Sequence, residues 1–436
     1  MRITDGQSIA DVLTTEKLKN ACGGTITFCA CVHKIKDMGA FAFVNLRTGR
    51  YVVQSVYIPD KCEGNLSDIS EGCYIKLTGK VKEEERANLG YEITLCSFSL
   101  LSRPAHEYPL HVSARELGCT IETKLEYRST ALRNPKERAV FKISEGVCEG
   151  FRQFLMKNNF TEIHTPKIVA AGAEGGANMF KLKYFGQDAL LAQSPQFYKQ
   201  TCVAFFDRVF EIAPVYRAEK HNSTRHLNEY IGLDFEMAYI SSMTDVMEME
   251  TALIRYICEY LKENYSYELA LFGNPVPEVK TIPAVTFFEA MDILSHTRGK
   301  VDLEPQDEVR LCEYAKEKYD SDFIFVEKFP MAKRPVYAMN SPEDPKLAES
   351  FDLLFRGLEI TTGGQRIHDY EEQIAKMKQF GVEPEELSVY LQIHKYGMPP
   401  HGGLGIGLER LVMKLLNLAN IRQASLFPRD ITHLDP

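Results

Sequence analysis

The chain has 436 residues, enough for two or three domains, and 44% of them are hydrophobic, which excludes disordered and fibrous proteins. The net charge of −9 argues against a protein that coats nucleic acid through its overall charge, although a local basic patch would still bind it. No run of about eighteen apolar residues occurs, so we expect no membrane span.

The eleven cysteines are scattered and form no C-x-x-C pair. Cys29 and Cys31 are the closest two, and they alternate with apolar residues as on a strand. This pattern favours buried, reduced thiols over a zinc site or a disulfide framework. Residues 1–20 are polar with mixed charge and lack the pattern of a secretory or transit signal, so we expect a cytoplasmic protein.

Residues 22–103 contain short runs rich in β-branched and aromatic residues, separated by turn-forming segments. The runs are TITFCACVHKI, FAFVNLR, YVVQSVYI, CYIKLTGKV and YEITLCSFSLL. Five short strands fit a small closed barrel, whereas a β-sandwich would need more. We therefore predict an N-terminal all-β barrel of the OB fold over residues 1–104.

A polar stretch over residues 105–135, punctuated by prolines, predicts a hinge or linker. In the next segment, KISEGVCEGFRQFLMKNNF, apolar residues recur at helical spacing, so a helix is expected. Helical and strand-like runs are then mixed to the end of the chain. The sequence thus predicts a second domain of α+β class over residues 136–436, with an insertion at about 260–330 where the signals are weaker.

Two strand-like runs, RVFEIAPVY and YIGLDFEMAYI, flank a charged segment that is longer than an ordinary hairpin loop. Arg217 and Glu219 stand at the end of the first strand, and Arg225 and His226 lie within the loop. Arginine suits phosphate because its planar guanidinium donates two parallel hydrogen bonds. The loop therefore indicates a phosphate site, with a solvated loop of surface ion pairs as the alternative.

A second feature is HGGLGIGLERLVMKLL near the C-terminus. Gly403, Gly405 and Gly407 alternate along an extended run, which permits close backbone approach on one face of a strand. Arg410 then falls in the first turn of a helix. The spacing differs from the G-x-G-x-x-G of dinucleotide sites, so this feature is informative mainly together with the arginine of the hairpin.

Further segments carry isolated carboxylates and cations. In FDLLFRGLEITTGGQRIHDYE, Asp352 and Glu359 flank a hydrophobic run, which suits magnesium held together with substrate phosphates. Arg366 follows in the same segment, and Lys199 follows the turn-forming QSPQ. The small-residue stretch AGAEGGANMF contains Glu174 and predicts a lid over a site, with an ordinary flexible loop as the alternative.

These segments together resemble the class II aminoacyl-tRNA synthetases, most closely the aspartyl-tRNA synthetases (subclass IIb) of archaea and the eukaryotic cytosol. The helix and strand that end at Pro166 resemble motif 1, a dimer element. YRAEKHNSTRHLNEYIGLDFE resembles motif 2, and GLGIGLER resembles motif 3. The three motifs occur in the order found in the family, and the barrel ahead of them matches its anticodon-binding OB domain.

The resemblance implies a catalytic α+β domain built on an antiparallel sheet, in a homodimer with no membrane partner. It implies an aspartate–tRNA ligase that uses ATP and Mg²⁺ in cytoplasmic translation. The α-carboxylate of L-aspartate would attack the α-phosphate of ATP in line, giving aspartyl-adenylate and pyrophosphate. The 3′ end of tRNA(Asp) would then receive the aspartyl group. Positioning and charge neutralisation should dominate such a reaction.

The resemblance also carries family roles in ATP binding to matching residues of this sequence. Arg217 would bind the α-phosphate, Glu219 the adenine side and Arg410 the γ-phosphate, and these three are the expected catalytic residues. Tyr230 would stack on the adenine ring. The residues expected to bind ATP are Arg217, Ala218, Glu219, Arg225, His226, Leu227, Tyr230, Glu359, Gly407, Leu408, Glu409 and Arg410.

The same resemblance assigns the metal and the amino acid. Glu359, helped by Thr362 and Asp352, would hold magnesium. Lys199 and Arg366 would face the side-chain carboxylate of aspartate, and asparagine should be rejected because an amide cannot satisfy both cations. The residues expected to bind aspartate are Glu174, Gln193, Ser194, Gln196, Lys199, Arg217, Asp234, Thr362 and Arg366.

In the barrel, Phe43, Gln54 and Glu92 match positions at which the family reads the anticodon. An exposed aromatic side chain that stacks on a base contributes about 1–3 kcal/mol. Phe41 and Phe43 share one face of their strand, so an inward-facing pair would argue against this role.

Several alternatives remain. A non-discriminating enzyme that also charges tRNA(Asn), an asparaginyl-tRNA synthetase or a lysyl-tRNA synthetase would share motifs 2 and 3, and Lys199 with Arg366 argues against the last two. An asparagine synthetase on the same catalytic fold would not need the barrel. An OB-fold binding protein whose large domain only mediates assembly would not need Arg217, Glu359 and Arg410.

Overall fold

The computed structural model describes residues 13–172, 179–220, 223–296 and 300–434. These residues form two compact units that divide between Arg138 and Ala139. Within the described ranges, no helix is both long enough and apolar enough to cross a membrane.

The first unit is a closed five-stranded barrel. The first element among its described residues is helix α1, Thr15–Asn20. Its strands are β1 Thr25–Asp37, β2 Ala42–Thr48, β3 Tyr51–Tyr57, β4 Tyr74–Glu83 and β5 Tyr91–Ser102. Strand β1 pairs with both β2 and β4, which closes the sheet in the order β1-β2-β3-β5-β4. Strands β3 and β5 run parallel, and the remaining pairs are antiparallel. The predicted five-stranded barrel is confirmed.

Alternation along the strands builds the barrel core. Ala42, Val44 and Leu46 of β2 are fully buried, while the residues between them face outward. Gly79 lies at a register shift between β4 and β5, where a Cβ would be 2.9 Å from the carbonyl oxygen of Thr94. A larger residue would push the two strands apart at this bend.

The stretch expected to be a linker, 105–135, is largely ordered by its own contacts. It contains helices α2, Ile121–Glu126, and α3, Arg128–Ala131. The buried side-chain amide of Asn134 donates to the carbonyl oxygens of Val112 and Ala114, at 3.0 and 2.8 Å. The segment therefore has a small core of its own, and its action as a hinge stays a prediction.

The described residues of the second unit form eleven strands and most of the helices. The strands are β6 Thr161–Glu162, β7 Ile168–Val169, β8 Lys181–Tyr184, β9 Gln187–Leu191, β10 Arg208–Tyr216, β11 Glu229–Ala238, β12 Ala284–Thr286, β13 Phe323–Glu327, β14 Ser350–Phe355, β15 Glu359–Gln365 and β16 His401–Gly407. The helices are α4 Pro135–Lys157, which starts in the first unit, α5 Gln196–Phe206, α6 Met243–Asn264, α7 Ser266–Ala270, α8 Phe287–Ile293, α9 Pro305–Tyr319, α10 Tyr370–Gln379, α11 Ser388–Tyr396 and α12 Leu408–Leu415.

Eight of these strands form one sheet in the order β12-β13-β14-β15-β16-β11-β10-β6. The sheet is antiparallel except for its outermost pairs, β12 with β13 and β10 with β6. Strands β7, β9 and β8 form a separate antiparallel sheet. The predicted α+β domain on an antiparallel sheet is confirmed.

Helix α4 follows the apolar spacing of its sequence. Ile143, Val147, Phe151 and Leu155 are fully buried, and they join the main core with residues of α6 and α12. Helix α6 begins at a capping box in which Ser242 and Asp245 satisfy each other's backbone N–H groups. The predicted helix and the predicted antiparallel pairing of β10 with β11 are both found.

The segment expected to be an insertion, about 260–330, is continuous with the main sheet. It contributes β12 and β13 to one edge, and β13 pairs with β14 along its length. Helix α9 packs against β13 and β14 around a small core of its own. Its sequence signals are weak because its two strands are only three and five residues long.

Candidate active site

A cavity of about 1400 Å³ in the second unit is lined by β10, β11, β14, β15 and β16 and by the loops that follow β10 and β13. Many residues expected from the sequence meet there. Those lining the cavity are Gln193, Ser194, Gln196, Lys199, Arg217, Glu219, Arg225, His226, Leu227, Tyr230, Asp234, Asp352, Glu359, Thr362, Arg366, Gly407, Glu409 and Arg410.

Two expected residues lie elsewhere, and a third is not among the described residues. Leu408 is buried in the main core, so any contact it makes with a nucleotide would come from its backbone. Ala218 belongs to the loop after β10 but does not line the cavity. Glu174, the expected lid residue, lies outside the described residues.

The loop after β10 is held at its base by Asn228. The side-chain amide of Asn228 donates to the carbonyl oxygens of Arg217 and Glu219, at 3.0 and 3.1 Å. Its backbone N–H donates to the carbonyl oxygen of Arg429, and Ile421 donates likewise to Thr224, at 2.8 and 2.9 Å. The C-terminal segment thus braces the loop that carries Arg217.

Arg410 and Glu359 lie side by side in the cavity. One guanidinium nitrogen of Arg410 donates to the backbone carbonyl of Glu359 at 2.9 Å and lies 3.5 Å from its carboxylate. The hydroxyl of Thr362 donates to the same carboxylate at 3.2 Å. Burial and the neighbouring Arg410 lower the pKa of His226, which keeps this ring neutral near pH 7.

A magnesium ion fits Glu359 and Thr362 better than Asp352. Both carboxylate oxygens of Asp352 accept from Arg334, at 3.0 and 2.8 Å, and burial raises the pKa of Asp352 to about 6. The metal-holding role expected of Asp352 conflicts with this two-point ion pair. In the described residues no group of three or more His, Cys, Asp or Glu could hold a metal by itself. Magnesium is commonly bound by only one or two protein carboxylates together with substrate phosphates. Glu359 can supply one such carboxylate.

A buried charge cluster forms another part of the cavity wall. The ammonium of Lys199 donates to Asp234 and to the carbonyl oxygen of Leu404, both at 2.8 Å. Arg366 donates to Glu236 at 2.9 Å and to the carbonyl oxygen of Gly403 at 2.8 Å. Glu236, which is also 3.5 Å from Lys199, therefore lies between the two cations.

The alternating glycines of β16 make room for this cluster. Gly403 and Gly405 lie opposite Glu236 and Asp234 in the pairing of β16 with β11. A Cβ at Gly403 would overlap the carbonyl oxygen of Phe235 and the carboxylate of Glu236, and one at Gly405 would be 3.1 Å from Asp234. The close approach expected from the glycine spacing is thus made by carboxylates of the next strand.

Glu409 has a structural contact in addition to its place in the cavity wall. Its carboxylate accepts from the backbone N–H of Ile231 at 3.1 and 3.2 Å, and burial raises its pKa to about 7. Tyr230, beside this contact, is partly buried against the main core and lines the cavity.

In the first unit, the three expected anticodon residues lie on neighbouring strands, where Phe43 and Gln54 are partly exposed and Glu92 is buried. Phe43 is half-buried next to Phe41, with ring centroids 5.3 Å apart, while the alternate residues of β2 fill the core. Gln54 donates to Glu92 at 2.6 Å, and Lys82 pairs with Glu92 at 2.8 Å. In the described strand β2, Phe43 does not point into the core, so this argument against an anticodon-binding role does not apply.

Three residues of the cavity and its surroundings were missed from the sequence. Glu236 lies two residues after Asp234 in the mainly apolar part of β11, so a charge at a buried position could have revealed it. Arg334 and Glu308 stand in segments without a recognisable pattern. Glu308 accepts from the side chain of Arg225 and from the backbone N–H of Glu359.

Comparisons with known proteins agree with this geometry. The family model of class II tRNA synthetases (D, K and N) matches residues 120–431. The aspartate–tRNA(Asp/Asn) ligase of Deinococcus radiodurans is 42% identical over 434 residues, 97% of this chain and 98% of that protein. The aspartate–tRNA(Asp) ligase of Pyrococcus furiosus is 39% identical over 432 residues, 97% and 98% of the two chains.

Among solved structures, the asparaginyl-tRNA synthetase of Pyrococcus horikoshii complexed with asparaginyl-adenylate is similar, with a TM-score of 0.87 and 29% identity. The match covers 98% of this chain and 99% of that chain. The fold class predicted from the sequence is therefore confirmed across both units.

Proposed function

Since the chain belongs to the class II tRNA synthetases of the D, K and N type, we propose that it is an aspartate–tRNA ligase. It activates L-aspartate with ATP to give aspartyl-adenylate and pyrophosphate. It then transfers the aspartyl group to the 3′ end of tRNA(Asp) in cytoplasmic translation. Relatives named aspartate–tRNA(Asp) ligase and aspartate–tRNA(Asp/Asn) ligase, at 39% and 42% identity, support aspartate as the amino acid.

The observation that carries this proposal is the pair of buried cations, Lys199 and Arg366, in the cavity wall. Lys199 donates to Asp234 and Leu404 and is 3.5 Å from Glu236. Arg366 uses two of its five N–H donors on Glu236 and Gly403. The remaining donors suit two carboxylate oxygens better than an amide, whose NH₂ group would meet a cation without an acceptor.

ATP–pyrophosphate exchange tests the amino acid directly. With aspartate, asparagine and lysine supplied separately, we expect exchange with aspartate alone. Equal exchange with asparagine would make the chain an asparaginyl-type enzyme and would remove the role given to Lys199 and Arg366.

Arg217 and Arg410 are proposed to hold the α- and γ-phosphates of ATP, and Glu219 and Tyr230 its adenine. These assignments are supported by the meeting of all four side chains in one cavity. Glu359 and Thr362 would hold the magnesium ion, which would neutralise phosphate charge when bound. The protein's own work is then to orient the α-carboxylate of aspartate for attack at the α-phosphate.

The barrel is proposed to read the anticodon through Phe43, Gln54 and Glu92. Its outward-facing aromatic ring and the hydrogen-bonded pair beside it support stacking and base recognition. A non-discriminating enzyme that charges both tRNA(Asp) and tRNA(Asn) is the second candidate, because the D. radiodurans relative carries that name. Charging assays with each purified tRNA distinguish the two candidates.

A homodimer is proposed through α4 and the strand that follows it. Large apolar side chains exposed in the second unit support a partner surface, among them Met156, Phe205 and Phe206. Light scattering of the purified protein would give twice the mass of one chain, and the mass of a single chain would contradict this assembly.

A further inference from the structure

Glu308 of α9 connects two parts of the candidate active site. Its side chain is buried, and one carboxylate oxygen accepts from the backbone N–H of Glu359 at 2.8 Å and from the guanidinium of Arg225. Arg225 belongs to the loop after β10, and Glu359 is the first residue of β15. Glu308 itself comes from the 260–330 segment, to which the sequence assigned no role.

The backbone of Glu359 is held from both sides. The carboxylate of Glu308 accepts a hydrogen bond from the N–H of Glu359. The guanidinium of Arg410 donates to the carbonyl oxygen of Glu359 at 2.9 Å. Helix α9 is packed closely against the turn that precedes β15, since a Cβ at Gly357 would be 3.0 Å from the side chain of Val309. A change in Glu308 would therefore displace the carboxylate of Glu359 relative to Arg410.

The ion pair with Arg225 has a second consequence. Arg225 lines the cavity, and its guanidinium is already paired with the carboxylate of Glu308. A phosphate oxygen bound to the same guanidinium would compete with Glu308 for its positive charge, because the two anions would repel each other at close range. Burial raises the pKa of Glu308 even beside Arg225, so the carboxylate is poorly solvated where it lies.

We infer that Glu308 is a positioning residue of the triphosphate site. It fixes the backbone of Glu359, and it holds Arg225 until the outer phosphates of ATP take that guanidinium over. The inference rests on the proposed function in one respect only, that the cavity binds ATP. It predicts opposite effects for two substitutions at the same position.

Glu308→Gln keeps an acceptor for the N–H of Glu359 and removes the charge that competes for Arg225. ATP binding, measured by titration calorimetry without aspartate, should become tighter by about fivefold, the value of a partly exposed ion pair. The kcat of aspartate-dependent exchange should stay within about twofold of the unsubstituted enzyme. In an Arg225→Ala background, Glu308→Gln should leave ATP affinity unchanged.

Glu308→Ala removes both contacts, so Glu359 loses its anchor and kcat should fall by about tenfold or more. Rescue of kcat by Gln but not by Ala separates the hydrogen bond from the charge. Glu317→Gln, at an exposed position on the same helix, is the matched control for the loss of one negative charge. It should change neither ATP affinity nor kcat.

The inference would be overturned if Glu308→Gln bound ATP as tightly as the unsubstituted enzyme or less tightly. It would also be overturned if Glu308→Gln tightened ATP binding in the Arg225→Ala background. Wild-type kcat in Glu308→Ala would also overturn it. If ATP binds but ATP–pyrophosphate exchange does not depend on aspartate, the proposed function fails. The calorimetric measurement of ATP binding still decides the role of Glu308. If Glu308→Ala does not fold, Glu308→Gln alone decides the outcome.

Discussion

Gly403 lies opposite Glu236 across the β16–β11 pair, with no room for a side chain between its backbone and that carboxylate. Because Glu236 separates Lys199 from Arg366, the glycine fixes the position of both cations. The spacing of a buried charge cluster thus depends on a residue that has no side chain.

Gly403→Ala should weaken both folding and aspartate binding. The added methyl must displace Glu236 or spread the strands, which costs about 1–3 kcal/mol as overpacking. The free energy of unfolding from urea titration and the KM for aspartate in exchange would measure the two effects. Gly407→Ala is the control for stability, because its Cβ would make only ordinary contacts at 3.7 Å. Equal stability of the two variants would contradict this account of Gly403.

Asn228→Ala should slow adenylate formation because the loop that carries Arg217 loses two of its hydrogen bonds. The variant loses two hydrogen bonds to the backbone of Arg217 and Glu219, each worth about 1 kcal/mol. We expect kcat for exchange to fall by about tenfold as the loop loses its fixed shape. Asn264→Ala removes a similar amide-to-carbonyl bond on α6, away from the cavity, and is the control. A fall in kcat of similar size in the control would disprove a specific role for Asn228.

Glu250 should give the protein a distinctive pH dependence of stability. This carboxyl is fully buried on α6 near Thr361 and Asp352, and burial raises its pKa from 4.5 to about 8. Between these values the folded protein keeps a proton that the unfolded chain has released. The stabilising contribution is therefore complete below pH 4.5 and is lost as the pH rises toward 8.

Glu250→Gln removes this titration, so its stability should fall less between pH 5 and pH 8 than that of the unsubstituted protein. The difference in slope is at most about 1.4 kcal/mol per pH unit. Urea unfolding at several pH values measures it. Glu248→Gln, exposed on the same helix, should leave the slope unchanged, and parallel slopes for all three proteins would refute the buried-proton explanation.

Phe43→Ala should raise the KM for tRNA(Asp) in the charging reaction by about tenfold, since base stacking on an aromatic ring contributes about 1–3 kcal/mol. Phe43→Tyr retains the ring and should restore most of the affinity. Adenylate formation, which needs no tRNA, gives the reference rate for each variant. A wild-type KM in Phe43→Ala would mean that the outward face of β2 does not contact the anticodon.

Local periodicity was enough to predict the barrel, helix α4 and the β10–β11 hairpin, because each is built from neighbouring residues with one repeating pattern. The contacts of the cavity depend on pairs far apart in the sequence. Lys199 and Leu404 are separated by 205 positions, and Arg225 and Glu308 by 83. No spacing rule reaches across such distances, so Glu308 could not be predicted.

The same contrast between local patterns and tertiary contacts explains why the metal-holding role expected of Asp352 conflicts with its ion pair to Arg334. A carboxylate that flanks a hydrophobic run in the sequence suggests a metal ligand when its neighbours are unknown. The structure shows Arg334, from an irregular loop, occupying both of its oxygens. Sequence patterns identified the chemical groups of the site, whereas only tertiary packing decided which of them pair with each other.

The bonds from Asn228 to Arg429 and from Ile421 to Thr224 have a consequence for synthesis on the ribosome. The loop that carries Arg217 is translated long before the residues that brace it, Ile421 and Arg429. A nascent chain can form the barrel early, yet it cannot fix this loop until residues 421–429 have been made. A chain that stops before residue 421 would therefore lack both of the hydrogen bonds that hold this loop from the C-terminal side.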